Sequence, residues 1–105
     1  MKIKKYNELV ENDTLIIEKL VEEIELKHGN VSDLDKISNL PQYRKIVEKG
    51  EISIPVLIKK LDEQSCMFWI QALREISGEF LDKGIGKTDN IRNVWKKWSI
   101  ENGYK

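Results

Sequence analysis

Few side chains in this chain have the types and spacing that chemistry requires. His28 is the only histidine and Cys66 the only cysteine among 105 residues. Glu25-x-x-His28 has the spacing with which helical bundles hold a di-iron centre, but such a centre takes two of these pairs plus two further glutamates. A single histidine supplies one pair. His28 reads instead as a last-turn histidine beside Gly29, where a cation complements the helix dipole. Cys66 falls at the start of a predicted helix, a position that lowers a thiol's pKa. A nucleophilic thiol also needs a base beside it, and the one histidine belongs to another helix. Gly84-x-Gly86-Lys87-Thr88 ends like a phosphate-binding loop, yet the glycine required five residues before Gly86 is Leu81, and no strand leads into it. Glu22 and Glu23 are adjacent, so on a helix they diverge by about 100° and cannot act as an acid–base pair. We therefore assign no catalytic residue, no cofactor site and no metal site. The chain is expected not to be an enzyme and to have no small-molecule substrate.

Composition narrows the classes further. A chain of 105 residues makes one domain, with 18 basic and 18 acidic residues and zero formal net charge. Nucleic acid is disfavoured as a partner, because binding by counterion release needs a basic excess. The basic residues are also 15 Lys to 3 Arg, and lysine lacks the planar fork that reads bases. The longest apolar run, residues 66–70, is far below the ~18 residues of a membrane span. Met1 to Lys5 is basic, but Asn7, Glu8 and Glu11 follow where a secretory signal would be apolar. No membrane association and a cytoplasmic location are the expectations. One cysteine excludes an intrachain disulfide.

The charges are unevenly placed. Residues 8–25 hold Glu8, Glu11, Asp13, Glu18, Glu22, Glu23 and Glu25 against Lys19, whereas Lys83, Lys87, Arg92, Lys96, Lys97 and Lys105 outnumber Asp89 and Glu101 toward the other end.

Apolar periodicity predicts the elements that carry these residues. Residues 1–11 show no clear period and are expected to be loosely ordered. Asn12 or Asp13 caps a helix to about His28, with Leu15, Ile16, Ile17, Leu20, Val21 and Ile24 on its apolar face and Gly29 closing it. Ser32 to Asp35 reads as a capping box for a short helix through Leu34 and Ile37. Pro41 opens a third helix and Gly50 ends it. Ser53 caps the next, whose stripe is Ile54, Leu57, Ile58 and Leu61. After a tight connection at residues 62–65, a helix with Phe68, Trp69, Ala72, Leu73 and Ile76 runs to Gly78. Residues 79–87 form a loop, and Thr88 or Asp89 caps a last helix with Ile91, Val94, Trp95 and Trp98 inward. No stretch alternates with period two. The expected fold is all-α: one compact domain of five to six short helices over residues 1–105.

Ile54-Pro55-x-Leu57-Ile58-x-x-Leu61-Asp62, a turn, then Ala72-Leu73-x-x-Ile76-Ser77-Gly78 resembles a HEAT-type antiparallel helical hairpin. At most two such units fit, making a stub and not a solenoid. Over residues 41–104 the order Pro41-x-Tyr43-x-x-Ile46-x-x-x-Gly50, Ile54-Pro55-x-Leu57-Ile58, Phe68-Trp69-x-x-Ala72-Leu73-x-x-Ile76-x-Gly78-Glu79, Trp95-x-x-Trp98 and Asn102-Gly103-Tyr104 resembles a family of small bacterial helical proteins without an assigned activity. The chain departs from that family at residues 80–87, where the family carries a proline-rich acidic segment, and at Met67, where a tryptophan is usual. The resemblance implies an all-helical fold, transfers no catalytic residue, and suggests action on one partner protein.

Phe68 and Trp69 are adjacent and must take different azimuths. Either helices pack on both sides and cover both rings, or one lies in the core and the other stands outside as an anchor for a partner, with Glu18, Glu22 and Glu25 as a charged face. Trp95 and Trp98 are both expected in the core. The leading expectation is a non-catalytic protein-binding module of immunity, antitoxin or inhibitor type. The alternative is a nucleic-acid accessory protein using Lys83, Lys87, Arg92, Lys96 and Lys97.

Overall fold

The computed structural model describes residues 2–28, 34–63 and 66–104, with side chains from residue 12 onward. Helices follow one another as α1 (Lys2–His28), α2 (Leu34–Ser38), α3 (Pro41–Glu48), α4 (Ile54–Lys59), α5 (Cys66–Ser77) and α6 (Thr88–Glu101). Short 3-10 turns at Gly50–Ser53 and Lys60–Asp62 flank α4. Among the described residues there is no strand, and the all-α single domain expected from periodicity is what forms.

Two expectations about α1 are corrected. Its backbone is helical from Lys2, so no cap at Asn12 or Asp13 begins it and residues 2–11 continue the same helix. Its apolar face is also narrower. Ile17, Val21 and Ile24, spaced at four and three, are buried, while Leu15 is 57% and Ile16 46% exposed. Three consecutive residues spread over about 200° of a helix and cannot share one stripe. The closing role of Gly29, the capping box from Ser32 and the turn at Gln64 and Ser65 lie outside the described residues.

Pro41 stands at the start of α3 as expected. Gly50 follows with φ +68°, the left-handed conformation that lets the chain leave the helix. Ser53 stands at the N-cap position of α4 as expected, but its side chain makes no capping bond there. Its buried hydroxyl donates back to the Ile46 carbonyl at 2.7 Å, tying the 3-10 turn to α3.

Helix α5 is the centre of the fold. It packs against α2, α3, α4 and the two 3-10 turns. Cys66, Phe68, Trp69, Ile70, Ala72 and Leu73 are accordingly buried around most of its circumference. The remaining side carries Gln71, Arg74 and Glu75 and is open. Helix α6 closes the far side over α4, with Ile91 and Trp95 in the core.

Candidate functional site

Of the two readings for Phe68 and Trp69, the structure has the one in which both rings are covered, and neither is an outward anchor. Trp69 is fully buried and Phe68 is 6% exposed. The rings differ in azimuth, but α5 has neighbours on both sides, and both directions lead into the core. Trp69 stacks on Tyr43 with centroids 6.3 Å apart, and Phe68 meets Trp69 edge-on at 6.1 Å. Tyr43 adds a hydrogen bond from its hydroxyl to the Phe68 carbonyl at 2.9 Å. Burial holds that phenol well above its ordinary pKa.

Of the expected charged face, Glu18 and Glu22 are exposed. Glu25 turns inward, accepting from the Trp69 indole at 3.4 Å and pairing with Lys60 at 3.5 Å. The fold thus brings together Glu25 and Trp69, two of the residues singled out in the sequence, as a polar seam between α1 and α5. Glu25 and His28 form no metal centre. Among the described residues, no group of three or more His, Cys, Asp or Glu could hold an ion. Cys66 is buried, with the Arg92 guanidinium 3.7 Å from its sulfur. The stretch Gly84 to Lys87 is the irregular end of the α5–α6 loop. Of the basic set, Arg92 pairs with Asp89 and Lys96 with Asp62, while Lys83, Lys87 and Lys97 are exposed.

The residue that does stand out is Phe80, in the α5–α6 loop and 56% exposed. Its ring lies under the Arg74 guanidinium, 4.2 Å from carbon to centroid. Arg74 in turn grips Asp82 through Nη2 and through Nε at 3.2 Å. Asp82 is 3% exposed and also accepts the Trp95 indole N–H at 3.0 Å. Burial alone pushes the Asp82 carboxyl up. Its hydrogen bonds from Arg74, Trp95 and its own backbone N–H outweigh that and hold it below the usual carboxylate range. The contacts form a chain: Trp95 of α6 holds Asp82, Asp82 holds Arg74, and Arg74 covers one face of Phe80. Around the ring opens a shallow cleft of about 480 Å³ lined by Gln71, Arg74, Glu75, Gly78, Glu79 and Phe80. Nothing in the arrangement supplies a nucleophile and base in contact. What it offers is a rigid aromatic with charged and amide groups at its rim.

Sequence reasoning missed Phe80 and Asp82. The available signal was a lone aromatic just past the helix stop Gly78–Glu79, in a loop whose other apolar residues are Leu81 and Ile85. Compared with protein-family models, curated proteins and solved structures, the chain matches none of them.

Proposed function

We propose that this chain is a non-catalytic protein-binding module, working in the cytoplasm on one partner protein in the manner of an immunity, antitoxin or inhibitor protein. Phe80 is the anchor. The observation that carries this reading is a large apolar ring more than half exposed, yet covered on one face by Arg74, which is itself paired with the buried Asp82. A side chain ordered before binding loses little entropy on binding, and aromatic anchors of this kind dominate interface energetics. Glu18 and Glu22 form a separate exposed acidic stretch on α1, available to steer a basic partner. The α4–α5 pair, expected to resemble a HEAT-type hairpin, is the frame that carries the loop.

A photo-crosslinking amino acid at position 80, compared with one at the more exposed Leu26, tests this in the native host. The expected result is one discrete 1:1 adduct from position 80 and a much weaker one from position 26. The same diffuse set of adducts from both positions, or none from position 80, overturns it.

A further inference from the structure

We infer that a second, smaller pocket beside Phe80 receives an arginine side chain of the partner. This deepens the protein-binding reading and rests on it.

The pocket is made by the way α6 ends. Gly103 has φ +79°, and the chain reverses there so that Tyr104 N–H donates to the Ser99 carbonyl at 2.7 Å and Gly103 N–H to Ile100 at 3.1 Å. That pair of bonds is the Schellman closure, which needs a residue able to adopt positive φ. The reversal lays the Tyr104 ring against Trp98, with centroids 5.5 Å apart and planes 27° from parallel. Tyr104 then donates its hydroxyl to Glu51 at 2.8 Å, bridging the C-terminal turn to the 3-10 turn before α4. That bond raises the phenol's pKa.

Between these groups lies a volume of about 240 Å³, whose walls include Trp98, Tyr104, Glu51, Glu79, Ile54 and Ile76. Trp98 is only half-buried and is one of the lining residues. The volume falls below the ~300–1,000 Å³ of pockets that enclose whole small molecules. It suits a single side chain.

Its chemistry is one-sided. Two carboxylates and two aromatic rings line it, with no basic side chain among the described lining residues. Carboxylate and aromatic face together attract a cation. A planar guanidinium can lie along a ring while donating in-plane hydrogen bonds to a carboxylate, which a lysine ammonium cannot do. Glu79 lines both this pocket and the Phe80 cleft, so the two sites are contiguous. A partner that covers Phe80 with an apolar patch has its next side chain at the pocket mouth.

The test is an NMR titration of the full chain with N-acetyl-arginine N-methylamide, following the indole N–H of Trp98 and the amides of Ser77 and Glu79. The neutral isostere, blocked citrulline, is run in parallel, with the Trp69 indole as the signal that should stay still. Saturable shifts with arginine, absent with citrulline and weakened severalfold in Glu51→Gln/Glu79→Gln, are expected. Both glutamates are exposed, so the double variant keeps the fold, and glutamine preserves an acceptor for Tyr104. Equal shifts with citrulline, or no saturable shift with arginine, overturn the assignment. Failure here with a discrete crosslink at position 80 removes the pocket and leaves the module. Loss of the position-80 adduct removes the module, whatever the titration shows.

Discussion

Trp95 and Asp82 are joined by a 3.0 Å hydrogen bond between a fully buried indole and a fully buried carboxylate, across a loop that carries no regular structure. The bond fixes where the α5–α6 loop sits relative to α6, and through Arg74 it fixes Phe80. It adds to the packing of Leu81 and Ile85 of the same loop against the core.

Replacing Asp82 should therefore cost more than its place in a loop suggests. Asp82→Asn keeps the volume but removes the charge that faces Arg74. Breaking a buried ion pair on one side costs ~3–5 kcal/mol. The Arg74 side chain is 21% exposed and can partly rehydrate, which places the loss at the lower end. For a domain of this length ~3 kcal/mol corresponds to a fall in Tm of over 10 °C. Thermal melts of Asp82→Asn against wild type check this. A change of only a degree or two would mean that the triad does not hold the loop.

The same carboxylate sets an acid limit. Its pKa is lower folded than the ~3.9 of an unfolded aspartate. The stabilisation it supplies is present above the unfolded value and is lost as pH falls through the folded one. Urea midpoints of wild type and Asp82→Asn should differ most above about pH 5 and converge toward pH 3. A gap that stays constant over that range would assign the loss to packing and not to charge.

Much of this fold was legible because punctuation and periodicity agree. Pro41, Gly50, Gly78 and Gly103 bound helices whose stripes repeat at three and four, and the structure places α3 to α6 between them. The start of α1 was legible too, had Ile3, Tyr6 and Val10 been read as one spacing unbroken by proline or glycine before Gly29. The candidate site was not. Phe80 and Asp82 lie where no period operates, and their partners Arg74 and Trp95 are brought near by the packing of α4, α5 and α6. The burial of both Phe68 and Trp69 has a local signal, since the run Cys66 to Ile70 is apolar on every azimuth and demands neighbours all round.

Tyr43 makes an alkaline limit. Burial raises its pKa above the unfolded value of about 10, because the neutral phenol fits the core and the phenolate does not. A group with a raised folded pKa contributes stability that is full below the unfolded pKa and is lost as pH rises beyond it. Tyr43→Phe forfeits the hydrogen bond to the Phe68 carbonyl, a loss of about 1 kcal/mol at pH 7. The variant should lose less stability than wild type between about pH 10 and 11.5, so the two denaturation midpoints approach each other. If the midpoints fall in parallel, ionisation of Tyr43 is not what limits the fold there.

The two tryptophans of α6 separate core from surface. From spacing alone, Trp98→Ala should leave an aggregated or molten protein, since Trp95 and Trp98 share one stripe. The structure divides them: Trp95 is fully buried and bonded to Asp82, whereas Trp98 is half-buried and lines the pocket with Glu51, Glu79 and Tyr104. Truncating a fully buried tryptophan costs ~3–5 kcal/mol, and Trp95→Ala also leaves Asp82 short of a donor. Against a total of about 5–15 kcal/mol, that is enough to unfold a marginal domain near 37 °C. Trp98→Ala removes less buried area, so its melt should remain cooperative and lie well above that of Trp95→Ala. Calorimetric melts of the two variants decide it. Equal losses would place Trp98 in the core and close the pocket, while a cooperative Trp98→Ala variant with an unresponsive arginine titration is the outcome expected of a surface that binds.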